Sequence, residues 1–357
     1  MKEDKEGFLY PQVDEQSCIN CGKCEKACPV IQQDKERVPI KVVATFNDNL
    51  PVRMVSSSGG VFTQLAEYVI RNGGVVFGAM FDTQWGVIHN YVDKIEDLLK
   101  FRGSKYLQSH IGDCYKIIKQ MLENNRIVLF SGTPCQISAL NRFLNNSYEN
   151  LITVDIACHG VPSPGVWKLY LKELSERILP GSSVMGVSFR DKKNGWKNYN
   201  VSIDVKDGKK QLQYSIPFYK DWYMRSFLKN LIMRPSCSSC PVRNGKSGSD
   251  ITIADFWGIE NIYPDMDDDK GTSIALINTL KGNAIFEELG NKQKIVDYSV
   301  VCKYNPCFKE SFTSHPMRDY FFRKTAISKK VIPAMKDCLS DKFSMRVKRK
   351  LLGLLFS

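Results

Sequence analysis

From residue 40 onward the hydrophobic positions come in short β-branched runs separated by stretches with helical spacing. Residues 40–46 predict a strand, after which Val61, Phe62, Leu65, Ala66, Val69 and Ile70 share one face of a helix. Residues 74–81 and 87–92 are the next predicted strands, followed by a helix whose apolar face carries Ile111, Cys114, Ile117, Ile118, Met121 and Leu122. Residues 127–130 form a further buried run. Ser131-Gly132-Thr133-Pro134 closes it and opens a helix through Gln136, Ile137, Leu140 and Leu144, with Thr133 or Ser131 as N-cap and Pro134 in the first turn. Cys135 is thereby placed at a helix N-terminus. Residues 151–156 make a buried strand leading into Ala157-Cys158-His159-Gly160, and a helix follows over 166–178. The segments 184–189, 199–205 and 211–216 suit antiparallel pairing, a helix spans 222–232, and 251–256 and 273–278 are strands. Beyond Lys281 the pattern weakens. The predicted fold class is α/β, a mixed sheet with flanking helices.

Residues 1–35 behave differently. They show little apolar periodicity, four closely spaced cysteines and a Cys-Pro step, which predicts a small segment organised by metal rather than by a core. No stretch approaches the ~18 apolar residues of a membrane span, and Met1-Lys2-Glu3-Asp4-Lys5-Glu6 lacks the apolar centre of a secretory signal, so a cytoplasmic protein is expected. In a reducing compartment twelve cysteines point to metal binding or catalysis more than to disulfides.

Cys18, Cys21, Cys24 and Cys28, followed by Pro29, have the C-x2-C-x2-C-x3-C-P spacing of bacterial ferredoxins, which wraps thiolates around a 4Fe–4S cluster. A zinc site would separate two Cys pairs by a longer finger. In two-cluster ferredoxins the fourth Cys of such a run serves the other cluster, and this chain has no second copy. The cluster on Cys18, Cys21 and Cys24 therefore recruits Cys28 or a distant Cys, or awaits a ligand from a longer chain.

A second set is dispersed: Cys135, Cys158, and the pair Cys237 and Cys240 before Pro241. The first two follow buried strands, where open α/β sheets collect functional groups at their carboxyl edge. Converging, the four would hold a second Fe–S cluster; apart, Cys135 is a helix-terminal thiol and Cys237 with Cys240 a redox or zinc half-site. Cys114, Cys302, Cys307 and Cys338 read as packing or surface residues.

Ser56-Ser57-Ser58-Gly59-Gly60 precedes a helix and offers backbone N–H groups to a phosphate, although such N-caps are common. Gly103-Ser104-Lys105-Tyr106 and Phe189-Arg190-Asp191-Lys192 add cations beside aromatics, suiting an anionic, ring-bearing ligand such as a flavin nucleotide or, separately, solvated loops. His159 and Asp255 are the titratable groups nearest these motifs, candidates for proton transfer or for structural roles. The excess of Lys and Arg over Asp and Glu gives a net charge of +12, which alone does not choose among nucleic acid, anionic cofactor and acidic partner. Part of it sits at Lys342, Arg346, Lys348, Arg349 and Lys350, ahead of Leu351, Leu352, Leu354, Leu355 and Phe356. That tail reads as a helix packed on its own domain or as a surface for an anionic membrane or a partner.

Ser57-Ser58-Gly59-Gly60-Val61-Phe62, Gly103-Ser104-Lys105-Tyr106, Gly132-Thr133-Pro134-Cys135-Gln136, Cys158-His159-Gly160, Cys237-x2-Cys240-Pro241 and Asp255-Phe256-Trp257-Gly258 together resemble the coenzyme F420 hydrogenase/dehydrogenase beta-subunit family, over most of residues 40–320. The resemblance implies an iron–sulfur flavoprotein in which an FAD-binding α/β domain exchanges electrons with clusters and with a deazaflavin, ferredoxin or other reducible substrate. By motif it makes Ser58, Gly59, Gly60, Lys105, Gly132 and Thr133 flavin-site candidates, and Cys135, Cys158, Cys237 and Cys240 ligands of a second cluster. Relatives with a ferredoxin module carry two Cys runs joined by a segment like Glu6-Gly7-Phe8-Leu9-Tyr10-Pro11, so this chain resembles one that starts inside the joining segment, with half a module.

The expected organisation is a 4Fe–4S segment at 1–35, a flavin-binding oxidoreductase domain at 40–320 and a basic helical tail at 321–357. The expected function is an oxidoreductase passing electrons between one or two 4Fe–4S clusters and FAD, with a ferredoxin or small-molecule carrier as partner, His159 and Asp255 near the chemistry, and no nucleic acid. Two rivals stand beside it. One is an electron-transfer or assembly subunit without flavin; the other is a zinc-stabilised nucleic-acid binder, for which no interleaved basic and aromatic strand pattern appears.

Overall fold

The computed structural model describes residues 1–340; the basic tail from Lys342 to Phe356, with its expected docking role, lies outside the described residues. The architecture is mixed α/β. Across its nine-stranded sheet the order is Gln293–Ile295, Lys41–Thr45, Ser273–Ile277, Ile251–Asp255, Leu151–Ile156, Val128–Gly132, Val75–Phe81, Val87–Val92 and Ser109–His110. The four middle strands, from Ile251–Asp255 to Val75–Phe81, run parallel, while the strands beside them turn antiparallel. Four carboxyl ends thus meet on one edge, and that edge carries Asp255, Cys158 and Thr133.

Alternation along the strands builds the layers. Val76 and Leu129 face one side, against Leu65 and Val69 of helix Val61–Arg71 and Phe286 of helix Leu280–Glu288. Val75, Phe77, Val128 and Phe130 face the other, against helices Cys114–Glu123 and Pro134–Leu144. A separate antiparallel meander, Ser183–Asp191, Asn200–Asp207 and Lys210–Pro217, carries Arg190 toward the shared edge. The helix expected over 222–232 stops at Leu228, because Asn230 takes a left-handed backbone with φ 59°.

Two expected boundaries fall inside the main body. Residues 321–339 are core rather than tail: helices Arg318–Ser328 and Val331–Leu339 fold back beside helices Pro164–Ile178 and Trp222–Leu228, burying Phe321, Phe322, Met335 and Leu339. At the other end, residues 6–10 join the same core. Phe8 is fully buried beside Phe322, and the Glu6 carboxylate forks onto Arg318 at 2.5 and 3.2 Å. Gly7 has φ +81°, and a Cβ there would stand 2.6 Å from the Gly165 Cα, so the chain crosses helix Pro164–Ile178 only as glycine against glycine. Beyond Tyr10, the run with Cys18 to Cys28 rises to the surface. Among the described residues no helix is long and apolar enough to cross a membrane.

Candidate functional site

Strand Val128–Gly132 ends in Thr133, which caps helix Pro134–Leu144 through a capping box with Gln136: the Thr133 N–H donates to Gln136 Oε1 at 2.9 Å. The cap fixes Cys135 in the first turn, with its Sγ 3.2 Å from Thr133 Oγ1. Cys158 leaves the neighbouring strand Leu151–Ile156. Cys237 and Cys240 arrive from a distant segment that zips onto the chain after Cys158: Pro162 bridges Met233, and the Arg234 N–H donates to the Val161 carbonyl at 2.9 Å. Gly160 makes the approach possible, since a Cβ there would stand 3.2 Å from Cys237 Cβ and 2.7 Å from Met233 and Phe312 side-chain atoms.

The four thiols are close enough to sense one another. Burial pushes the Cys158 thiol well up, and Cys135, Cys237 and Cys240 push it further. Cys237 is pushed up to about 11 by burial, with Cys135 and Cys240 adding and Arg234 opposing. Among the described residues no three His, Cys, Asp or Glu side chains are gathered tightly enough to share one metal ion. A cubane cluster makes a different demand, because each thiolate binds its own iron at a separate corner. Two of the thiols follow strands of the sheet and two sit on the segment bridged to it, an all-thiol donor set of the type such a cluster uses. The N-terminal run differs: Cys18, Cys21 and Cys24 are exposed and Cys28 half-buried, around the single turn Lys23–Lys26, which buries no side chain.

Along the same edge lies a cavity of about 740 Å³ that reaches from Ser56–Ser58 past Lys105, Gly132 and Thr133 to Cys158, His159 and Asp255. Its size suits a nucleotide-bearing cofactor. Gly60, left-handed at φ 84°, caps helix Val61–Arg71 and turns the helix N-terminus to the cavity wall. Ser58 Oγ donates to the Thr272 carbonyl and the Gly59 N–H to Ser273 Oγ, both at 2.9 Å, so these two hold the loop against the sheet. Lys105 Nζ donates to the carbonyls of Phe101, Arg102 and Gly103 at 3.0 to 3.1 Å, which clasps its own loop. Burial draws its pKa down to about 7. Two polar atoms of residues lining the cavity, His89 Nδ1 and Arg190 Nε, are buried without a hydrogen-bond partner. A polar ring system with donors and acceptors is compatible with such a wall.

Residues 125–298 match the family model for the C terminus of the coenzyme F420 hydrogenase/dehydrogenase beta subunit, and residues 10–33 match a 4Fe–4S binding domain. The chain is 28% identical over 148 residues to the coenzyme F420-dependent sulfite reductase of Methanocaldococcus jannaschii, a match covering 40% of this chain and 23% of that protein. It therefore spans less than a quarter of that curated relative. A chain of the F420-reducing NiFe hydrogenase complex from Methanosarcina barkeri shares the fold, with TM-score 0.51 and 17% identity over 77% of this chain and 90% of that one.

The chain is similar to F420 hydrogenase/dehydrogenase beta subunits over residues 125–298, with a match to an N-terminal iron–sulfur module at 10–33.

In this beta-subunit-like chain the two titratable candidates have committed partners. Asp255 receives both terminal nitrogens of Arg190 at 3.0 and 3.3 Å and Trp196 Nε1 at 3.1 Å, so it works as the anion of an ion pair beside the cavity. Arg190 itself stacks 4.1 Å from the Tyr199 ring; burial would lower its pKa, but Asp255 more than restores it. His159 Nε2 lies 2.6 Å from Asn230 Oδ1, and burial, reinforced by Arg243, lowers its pKa. His89 carries no signal in sequence, being one polar position in the alternating strand Val87–Val92. Cys307, expected as a packing or surface residue, lines the cavity.

Proposed function

We propose that this chain is an iron–sulfur flavoprotein oxidoreductase of the cytoplasm, in which residues 1–35 carry one 4Fe–4S segment and residues from 40 onward the flavin domain. The observation that carries the reading is the backbone bridge that brings the segment of Cys237 and Cys240 onto the chain after Cys158, beside the Thr133 cap that holds Cys135, at the edge where Cys158 lines the cavity. Bound there, a 4Fe–4S cluster would supply single electrons, and FAD would exchange them with a ferredoxin one at a time or with a deazaflavin or other reducible substrate in pairs.

The chain's own part is to hold and orient. The helix end at Gly60 would receive an anionic phosphate group, Ser58 and Gly59 hold its loop against the sheet, Gly132 and Thr133 line the cavity, and Lys105 fixes its own loop. The Arg190–Asp255 pair presents a fixed dipole at the wall, and His159 stands where the cavity meets Cys158 with its ring oriented by Asn230. The sulfite reductase and the hydrogenase complex support the class, a redox chain acting with a coenzyme F420 or a partner protein.

Iron, sulfide, zinc and flavin content, with an absorption spectrum, on protein purified without oxygen tests this. About four irons with FAD mean that one cluster is built, and about eight mean both. Iron without flavin favours an electron-transfer or assembly subunit, and zinc without iron or flavin overturns the redox reading.

A further inference from the structure

Two arginines bracket the four cysteines, and both spend their donors on backbone carbonyls and serine hydroxyls. Arg243, just after Cys240 and Pro241, reaches back across the edge: its terminal nitrogens donate to the carbonyls of Cys158 and His159, each at 3.3 Å, and to that of Cys307. Its Nε donates to Ser311 Oγ at 3.0 Å, and the same oxygen accepts the Cys240 N–H at 3.1 Å. One guanidinium and one hydroxyl therefore bind the backbone of three cysteines that lie far apart in sequence, Cys158, Cys240 and Cys307. On the other flank Arg234 donates through Nε to Ser236 Oγ at 3.1 Å and through a terminal nitrogen to the Leu9 carbonyl at 2.9 Å, and lies 4.0 Å over the Tyr10 ring. Its charge acts on Cys135 and Cys237 as that of Arg243 acts on Cys158.

Four thiolates around a cubane core carry a net charge of about −2 oxidised and about −3 reduced, so adding one electron adds one negative charge and moves no atom. A fixed cation in a partly desolvated wall favours the more negative form. We propose that Arg234, held in place by Leu9 and Tyr10, and Arg243 are positioning residues that raise the reduction potential of a cluster held by Cys135, Cys158, Cys237 and Cys240. The inference rests on the cluster reading above and adds what tunes it.

The test uses the full chain, purified anaerobically and titrated with dithionite and mediators while electron paramagnetic resonance reports reduced clusters; Cys158→Ser identifies which signal belongs to this site. Arg243→Gln and Arg234→Gln shift that signal's midpoint to more negative potential at unchanged iron content, and Arg243→Lys, which keeps the charge but not the fork, returns most of the shift. A midpoint unmoved in both Gln variants, with iron retained, overturns the proposal. Should Arg243→Gln lose its iron, Arg234→Gln and Arg243→Lys decide by the same criterion. If Cys158→Ser removes no iron and no signal, the cluster reading itself fails, an outcome separate from an unmoved midpoint.

Discussion

The two groups of cysteines are built on opposite logic. Cys18 to Cys28 sit close together in sequence, around one helical turn that buries nothing, so little but a metal group would organise them. Cys135, Cys158, Cys237 and Cys240 come from segments far apart, each placed by a cap, a strand end or a backbone bridge that exists without metal. In the first region the metal makes the fold. In the second the fold would come first, and the cluster we propose would enter a site already built.

Iron removal gives the largest expected contrast. Chelating the protein should open residues 11–36 to limited proteolysis while the large domain keeps its circular dichroism and its thermal transition; loss of both together would erase the distinction. A serious local lesion should come next from the anchor joining the two regions. Phe8→Ala empties a fully buried site and should cost about 3–5 kcal/mol in urea unfolding. If the cost is near zero, the N-terminal segment is a separable appendage after all. Glu6→Gln leaves the largely buried Arg318 guanidinium without its counter-ion and should cost about 3 kcal/mol, with greater protease sensitivity near residue 10.

The smallest effect concerns the cavity wall. His89 is buried neutral, with its Nε2–H donated to the Ser131 carbonyl at 3.1 Å and burial holding its pKa down to about 4 against an ordinary 6.5. The unfolded chain takes up the proton first, so stability present above pH 6.5 is lost as pH falls toward 4, by about 2–3 kcal/mol. His89→Leu should flatten that acid limb between pH 7 and 4.5. An unchanged slope would show that other groups set it.

Much of the large domain is legible in the sequence because strands buried on both faces read as apolar runs: the parallel 151–156 and 251–256 and the antiparallel 273–278 lie within a residue of the observed strands. The N-terminal run is legible because its spacing is itself the chemistry. Harder to read are features that depend on one residue meeting another across the fold. Phe8 between Gly7 and Leu9 has no periodicity to announce a buried anchor. The short helices after Arg318 become core through Phe321 and Phe322, on a face too irregular to predict. Lys105 reads in sequence as a cation for a ligand, yet three carbonyls of its own loop take its ammonium group. Asp255 reads as a candidate for proton transfer or for a structural turn, and nothing in the sequence announces its partner Arg190, which lies on another sheet.

Because Leu9 and Tyr10 are gripped by Gln108 and Arg234, and Arg37 is fastened to Asn244, the N-terminal cysteines hang on a leash pinned at both ends. The chain from Tyr10 to Cys18 extends at most about 29 Å, so Cys18 stays within that radius of Tyr10 however the exposed run settles. A tether this short converts any exchange between the two cysteine groups into an intramolecular event with a high effective concentration. Its rate should be indifferent to dilution, and the large domain would never have to wait for a diffusing partner at that step.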